Sequence, residues 1–485
     1  MTPRRAKPMR RSDRPSIGIP WRWLIPAIPL VGFAATWSSA GSLLLPYAGL
    51  TAISIGVAML LLLFLRAVNP RNLPLWAILI LFMAAYFVKF YVAILVPETV
   101  TNSIISDLVA SDPMRPDLLL NCYLIIVSGF VSFCIAAIIC CVWPEARRPD
   151  HTESLRPMDY RAAADRCLLA AAMFAVPALA LAYNFKLVMG GVTRLPFHLN
   201  AIISLVEGIT APMLMLGAID AAWKSASGKR PAIAIGALAL YSALTVVTTA
   251  NKGAFLRLAL EILFLWLVSG YAIRRKQAFY FVGIAIVGIL MFSVLGSYRG
   301  LVVASGNAGS VRQVWRAMKI AESAPDALTG IEEGIFERLV GADIVLGLID
   351  HGTKPVGVGI LWRELARGGA VGVSGFLTTS WYGTSPVAGA YVNSLAPSLL
   401  GEFYVAAGNA GVAPGVACFT LLMMGAWRIL RRRPLYARNA IMASFLLIVF
   451  AAAEEGTVIS AARFMILFVP SAILVEYVMI CRGRR

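Results

Sequence analysis

Ionisable residues inside or at the ends of long apolar runs are where this chain could do chemistry: Glu207, Lys252, Arg257, Glu261, Arg299, Glu402, Glu454, Glu455 and Arg463. A charge inside a bilayer costs several kcal/mol and usually faces a cavity or a partner, so each is a site hypothesis by default. The plainer explanation is ion pairing, as Arg257 and Glu261 would make at i, i+4. A second constellation is basic. Arg299 closes an apolar run in Ser297-Tyr298-Arg299-Gly300, Arg338 sits in Phe336-Glu337-Arg338-Leu339, and Arg363 and Arg367 lie in Trp362-Arg363-Glu364-Leu365-Ala366-Arg367. A planar guanidinium binds phosphate oxygens bidentately and stays charged at any relevant pH. Several near a membrane surface suit a lipid-linked pyrophosphate. A solvated face or headgroup anchor fits Arg312, Arg316 and Lys319 better than Arg338. Arg338 and Asp343 are five residues apart, so they point to different sides of a helix and need not pair.

Other chemistries lack their residues. Gly228-Lys229 is followed by Arg230 and has no upstream glycine, so it is not a phosphate loop. No HExxH, CxxC or GxSxG occurs, and His151, His198 and His351 are scattered without metal-ligand spacing. The expectation is a protein with no metal site, no cofactor and no use of ATP. The seven cysteines lie in or at the ends of apolar runs, as buried free thiols do.

The elements that must position these residues follow from composition. The chain of 485 residues is 59% hydrophobic and 14% charged, with a mean hydropathy of +0.77. Soluble domains carry about 25% charged residues, so the solvent here is a bilayer. Apolar runs near 21–39, 43–65, 74–96, 118–143, 167–187, 201–223, 231–249, 254–273, 278–297, 411–430, 439–456 and 461–481 predict an all-α, polytopic integral membrane protein of about twelve transmembrane helices. Residues 1–485 then form a single polytopic domain.

The net charge of +18 is not that of a nucleic-acid binder, because the basic residues sit in short clusters between apolar runs. Alternate connections hold Arg66/Arg71, Arg147/Arg148/Arg156/Arg161/Arg166, Lys224/Lys229/Arg230, Arg274/Arg275/Lys276, Arg431/Arg432/Arg433/Arg438 and the tail Arg482/Arg484/Arg485. The other short connections hold only Arg115, Lys186, Arg194 and Lys252. This alternation puts both termini in the cytoplasm and most of the unusual charges at the outer side. The basic N-terminus resembles a signal sequence, but a first span can serve as its own signal.

One connection stands apart. Residues 298–394 form a large, partly helical loop between spans nine and ten, expected on the outer (periplasmic) face; from Arg299 onward it carries eight basic and eight acidic residues. Within it, Ser310–Ser323 has helical spacing of Val311, Val314, Trp315 and Met318, and Ala327–Asp350 also reads as helix. From Gly352 to Ala390 the composition predicts an irregular, surface-lying segment. No internal repeat is visible.

Three segments resemble the Wzy-type O-antigen and exopolysaccharide repeat-unit polymerases. Thr249-Ala250-Asn251-Lys252-Gly253-Ala254-Phe255-Leu256 looks like that family's small-residue/basic/glycine turn. Glu337-Arg338-Leu339-Val340-Gly341-Ala342-Asp343-Ile344-Val345-Leu346 resembles its Arg-Leu helix. Pro397-Ser398-Leu399-Leu400-Gly401-Glu402-Phe403-Tyr404, followed by Gly408-Asn409-Ala410-Gly411-Val412, resembles its glutamate-then-glycine segment. The Ile-Pro-Arg and Lys-Pro elements common between the last two are missing, and Arg363 and Arg367 stand in that interval.

The resemblance implies a metal-independent glycosyltransferase of the bacterial inner membrane. It would transfer a growing glycan from undecaprenyl diphosphate to a lipid-linked repeat unit, with a chain-length regulator as a further partner. Fixed positive charge would stabilise the leaving pyrophosphate, a role that falls to Lys252, Arg299 and Arg338, with Arg363 and Arg367 as substitutes. A carboxylate would take the acceptor's proton; Glu402 and Asp343 are the catalytic candidates, with Glu207 and Glu261 behind them. The related O-antigen ligase should show a histidine shortly before the glutamate–glycine segment, where this chain has Tyr391-Val392-Asn393-Ser394. A flippase or other transporter of the major-facilitator type should show two halves and an arginine-rich turn after span two, and Arg66-Ala67-Val68-Asn69-Pro70-Arg71 lacks it.

Overall fold

A computed structural model describes residues 24–40, 47–65, 68–95, 115–143, 158–185, 199–225, 230–249, 254–270, 283, 294, 298, 301–302, 311–323, 341–367, 372–382, 397–455 and 458–481. Regular structure among them is helical. The elements are α1 (Leu24–Ala40), α2 (Tyr47–Phe64), α3 (Leu73–Leu95), α4 (Pro116–Val142), α5 (Tyr160–Asn184), α6 (Ile202–Lys224), α7 (Arg230–Thr249) and α8 (Ala254–Ser269). Beyond them come α9 (Val311–Ser323), α10 (Ala342–Asp350), α11 (Gly359–Arg367), α12 (Val373–Tyr382), α13 (Ser398–Ala407), α14 (Asn409–Arg432), α15 (Arg438–Glu455) and α16 (Val458–Ile480).

Seven of these helices (α2 to α7 and α14) are long and apolar enough to cross a membrane. Shorter apolar stretches occupy Leu24–Trp37, Ser398–Ala407, Arg438–Ala453 and Phe468–Ile480. The expected ninth span, 278–297, lies almost wholly outside the described residues. Leu63, Met173, Val176, Leu240 and Leu422 are exposed on the helix bundle. A helix that is apolar on its outer side as well as its inner side needs lipid there, not water.

The bundle has two distinct ends. At one, polar contacts join helix ends that adjoin the basic connections. The Trp427 indole donates to the Pro70 carbonyl at 2.9 Å, and Asp220 accepts from Lys224 at 2.6 Å and from Asn439 at 2.9 Å. Arg166 donates to the carbonyls of Val478 and Met479 at 3.1 and 2.7 Å, placing a cation where the α16 dipole is negative. Glu476 accepts the N–H groups of Tyr436 and Ala437 at 2.9 and 2.8 Å. α5 begins here on Asp159, whose carboxylate accepts the N–H groups of Arg161 and Ala162. Those Ala162 and Arg161 bonds hold its carboxyl below the usual carboxylate range.

At the other end, the described parts of the stretch between α8 and α14 pack on the bundle. α9 is the amphipathic helix expected from its spacing, and its Val314 and Ala317 pack with Tyr298 and with Val246 and Ala254 at the ends of α7 and α8. The irregular segment expected from Gly352 to Ala390 is instead partly helical, since α11 and α12 fall within it. Their glycine- and threonine-rich sequence is overridden by burial: Ile360, Val373, Leu377 and Trp381 join Ile344 and Leu348 of α10 and Val405 of α13 in a small core of their own. α13 then turns sharply into α14 at Gly408, whose φ of +65° is in the left-handed region that favours glycine.

Candidate functional site

The site is built where α10 enters the bundle. α3 is not a uniform α-helix: Phe82–Val88 is a π-helical turn, a feature that often accompanies function. Lys89 follows that turn directly and is buried in an apolar span. Its ammonium donates to Asp343 Oδ2 at 2.6 Å, a buried ion pair bridging 254 residues of chain. Asp343 Oδ1 accepts the Gly341 N–H at 3.1 Å, so both carboxylate oxygens are engaged. A second pair, Arg115 with Asp350 at 2.7 Å, fixes the far end of α10 to the start of α4. The Cys122 thiol donates to the Ala342 carbonyl at 3.7 Å, adding a third tie to α4.

Around this wedge stands an aromatic and hydroxyl wall. Tyr123 shares hydrogen bonds with Thr51 at 2.9 Å and Tyr91 at 2.8 Å, and its ring stacks on Phe90 with centroids 4.9 Å apart. Three residues before Lys89, the Tyr86 hydroxyl accepts the Leu400 N–H at 3.2 Å. One face of α3 therefore holds both α10, through Lys89, and the start of α13, through Tyr86.

Glu402 lies on α13 and is fully buried. Its Oε2 accepts the Val458 N–H at 2.9 Å and its Oε1 the Ile459 N–H at 3.1 Å. These are the first donors of α16, groups that no turn of that helix can satisfy, and a carboxylate there also meets the positive end of the dipole. Glu402 is thus a cap supplied from another helix. Glu402→Ala should lower stability on the order of 3 kcal/mol, because two half-buried helix-start donors lose a buried charged acceptor, while Glu402→Gln should lose less. Thermal melting in detergent reads this; an alanine variant that melts with the parent would remove the capping role.

Buried Glu364 plays a related part on α11, accepting the Val373 N–H that opens α12 at 2.9 Å. Both capping carboxylates could have been flagged in the sequence only as acids in apolar surroundings, since their partners are set by the tertiary fold.

The residues expected from the sequence fare differently. Asp343 and Glu402 come to neighbouring helices, with Gly401 packed beside Ile344 and Leu348 of α10. Arg363 is exposed on α11, and Arg367 ends that helix with a side chain outside the described residues. Lys252, Arg299 and Arg338 also lie outside the described residues, as do the side chains of Glu454, Glu455 and Arg463. Arg257 does pair with Glu261, at 2.9 Å. Among the described residues no group of three His, Cys, Asp or Glu could hold a metal ion. Lys89 and Arg115 join the site from the fold alone. Lys89 did carry a signal, since a lysine inside an apolar span is uncommon without a purpose.

Chemically, the arrangement offers a buried ammonium–carboxylate couple, a capping carboxylate and a hydroxyl-lined aromatic wall at one end of an apolar bundle. Comparison with family models, curated proteins and solved structures finds no match.

Proposed function

We propose that this chain is a polysaccharide polymerase: a metal-independent membrane glycosyltransferase that joins polyprenyl-diphosphate-linked repeat units, as its resemblance to the Wzy-type family implies. The observation that carries the reading is the Lys89–Asp343 pair, which builds the segment after Arg338 into the bundle. A carrier has no evident use for a connecting segment locked into its membrane core, whereas a transferase working at the membrane surface needs one to position its charges.

In this reading the protein lies in the bacterial inner membrane with about twelve spans and both termini cytoplasmic, and residues 298–394 face the periplasm. Undecaprenyl-diphosphate glycans are both donor and acceptor, and a chain-length regulator is a partner. Lys252, Arg299, Arg338, Arg363 and Arg367 supply positive charge to the leaving diphosphate, and fixed charge of that sign lowers the barrier to its departure. Asp343 and Glu402 are the acids from which the base for the acceptor hydroxyl is drawn. Both acids are engaged in the structure, Asp343 by Lys89 and Glu402 by the α16 N-terminus, so either serves as base only by exchanging a partner for the acceptor hydroxyl.

The glycan profile of a deletion strain tests the class. Lipid A core carrying one repeat supports the polymerase, accumulated lipid-linked polymer points to a ligase, and accumulation on the cytoplasmic leaflet points to a flippase. Arg338→Ala should abolish long-chain glycan and leave single repeats, and normal chain length in that variant would sink the role given to Arg338.

A further inference from the structure

A second cluster of charge, with Glu261 buried and Glu207 and Arg257 half-buried, lies on α6 and α8 beside Tyr241 of α7, apart from the α10 wedge. It too adjoins a π-helical turn, Val206–Thr210 of α6. Glu207 sits in that turn, and its Oε1 is buried with no hydrogen-bond partner among the described residues. The Tyr241 hydroxyl of α7 donates to the Glu207 carbonyl at 2.9 Å. From α8, Arg257 reaches in two directions: its Nε donates to Glu261 Oε1 at 2.9 Å, and its Nη2 donates to the Gly208 carbonyl of the same π turn. Glu261 is buried.

The charge count is the argument. One guanidinium stands among two carboxylates, and it is already committed to Glu261 and to a backbone carbonyl. Glu207 with its proton leaves the cluster neutral; Glu207 without it leaves one uncompensated negative charge in an apolar setting, which a low-dielectric interior disfavours. No other described group supplies a compensating charge. α5 presents Ala178 and Ala182 to Ile203 and Val206, α16 presents Ser471 to Thr210 at 2.8 Å, and α15 meets α8 through Phe450 and Phe264. The side chains of Glu454 and Glu455 on α15 and of Arg463 on α16 lie outside the described residues, and the count is of the described groups alone.

We propose that Glu207, Arg257 and Glu261 form a membrane-embedded proton-binding site, in which Glu207 gains and loses the proton and the Arg257–Glu261 pair stays ionised. The ligand is a proton, taken up where a π turn leaves backbone carbonyls available to Arg257 and Tyr241. The site is independent of the glycosyltransferase reading and stands or falls without it.

The test uses dicyclohexylcarbodiimide, which reacts with protonated carboxyl groups in apolar surroundings, on the full chain in its native membranes. Mass spectrometry then locates the adduct. Glu207 should be labelled, with labelling falling at least tenfold as the pH is raised from acid to alkaline, and Glu261 should stay unlabelled. Glu207→Gln should abolish the adduct while leaving the protein in the membrane at parental level. Glu207→Gln should also remove a deuterium-sensitive carboxylic-acid carbonyl band from the infrared spectrum of the purified protein. Absence of both the adduct and the band overturns the proposal. So does protection by sodium ions at constant pH, which would make this a metal-cation site.

Discussion

Asp343→Ala is expected to destabilise the protein by about 3–5 kcal/mol, because it leaves the Lys89 ammonium buried without its counter-charge. The loss should appear as a large drop in melting temperature and in membrane-integrated protein. Lys89→Ala should produce a similar loss from the other side. The informative variant is the double replacement, Lys89→Met with Asp343→Leu, in which both charges leave together and apolar side chains of similar size replace them. Buried pairs exchanged in this way are often neutral in stability, so the double variant should regain most of the melting temperature. Its glycan profile then separates two roles. If the pair only pins α10, long-chain product returns with stability. If Asp343 serves the acceptor proton, a well-folded double variant still makes none. An Asp343→Ala protein that melts with the parent would show that the pair does not form.

How far the sequence reached depends on how local each interaction is. The apolar runs of α2 to α7 and α14 were legible because lipid demands a continuous stretch of apolar side chains, and this property needs no partner. α9 was legible through its spacing, and the Arg257–Glu261 pair through i, i+4 geometry. Long-range partners were not legible. Lys89 and Asp343 are 254 residues apart, and Glu402 caps residues 56 and 57 positions further on. Nothing in the residues around them names those partners.

Composition misled at Gly352 to Ala390, where glycines and threonines suggest surface turns. α11 and α12 form there because Leu377 and Trp381 find apolar partners on α10 and α13, a gain that local propensity does not contain. The two π turns were equally invisible, yet one adjoins the buried Lys89 and the other contains the half-buried Glu207. Extra residues in a helix leave backbone groups unpaired, which suits places where side chains from other helices must reach in.

The close approach that makes the Lys89–Asp343 pair geometrically feasible rests on Gly341. The reason is contact: a Cβ at this position would land on the backbone carbonyl of Ala85, inside the π turn of α3. A carbonyl cannot swing aside as a flexible side chain can, so Gly341→Ala must push α10 away from α3. That displacement would pull Asp343 Oδ2 from Lys89, which stays on α3. The expected cost is on the order of 3 kcal/mol, comparable to Asp343→Ala although no charge is altered. Gly425→Ala on α14 is the control, since nothing lies within 4 Å of the added methyl. There alanine should hold or raise the melting temperature, as it does relative to glycine in helix interiors by about 0.5–1 kcal/mol. If Gly341→Ala melts with the Gly425→Ala control, α10 does not dock on α3, and the site loses the contact that assembles it.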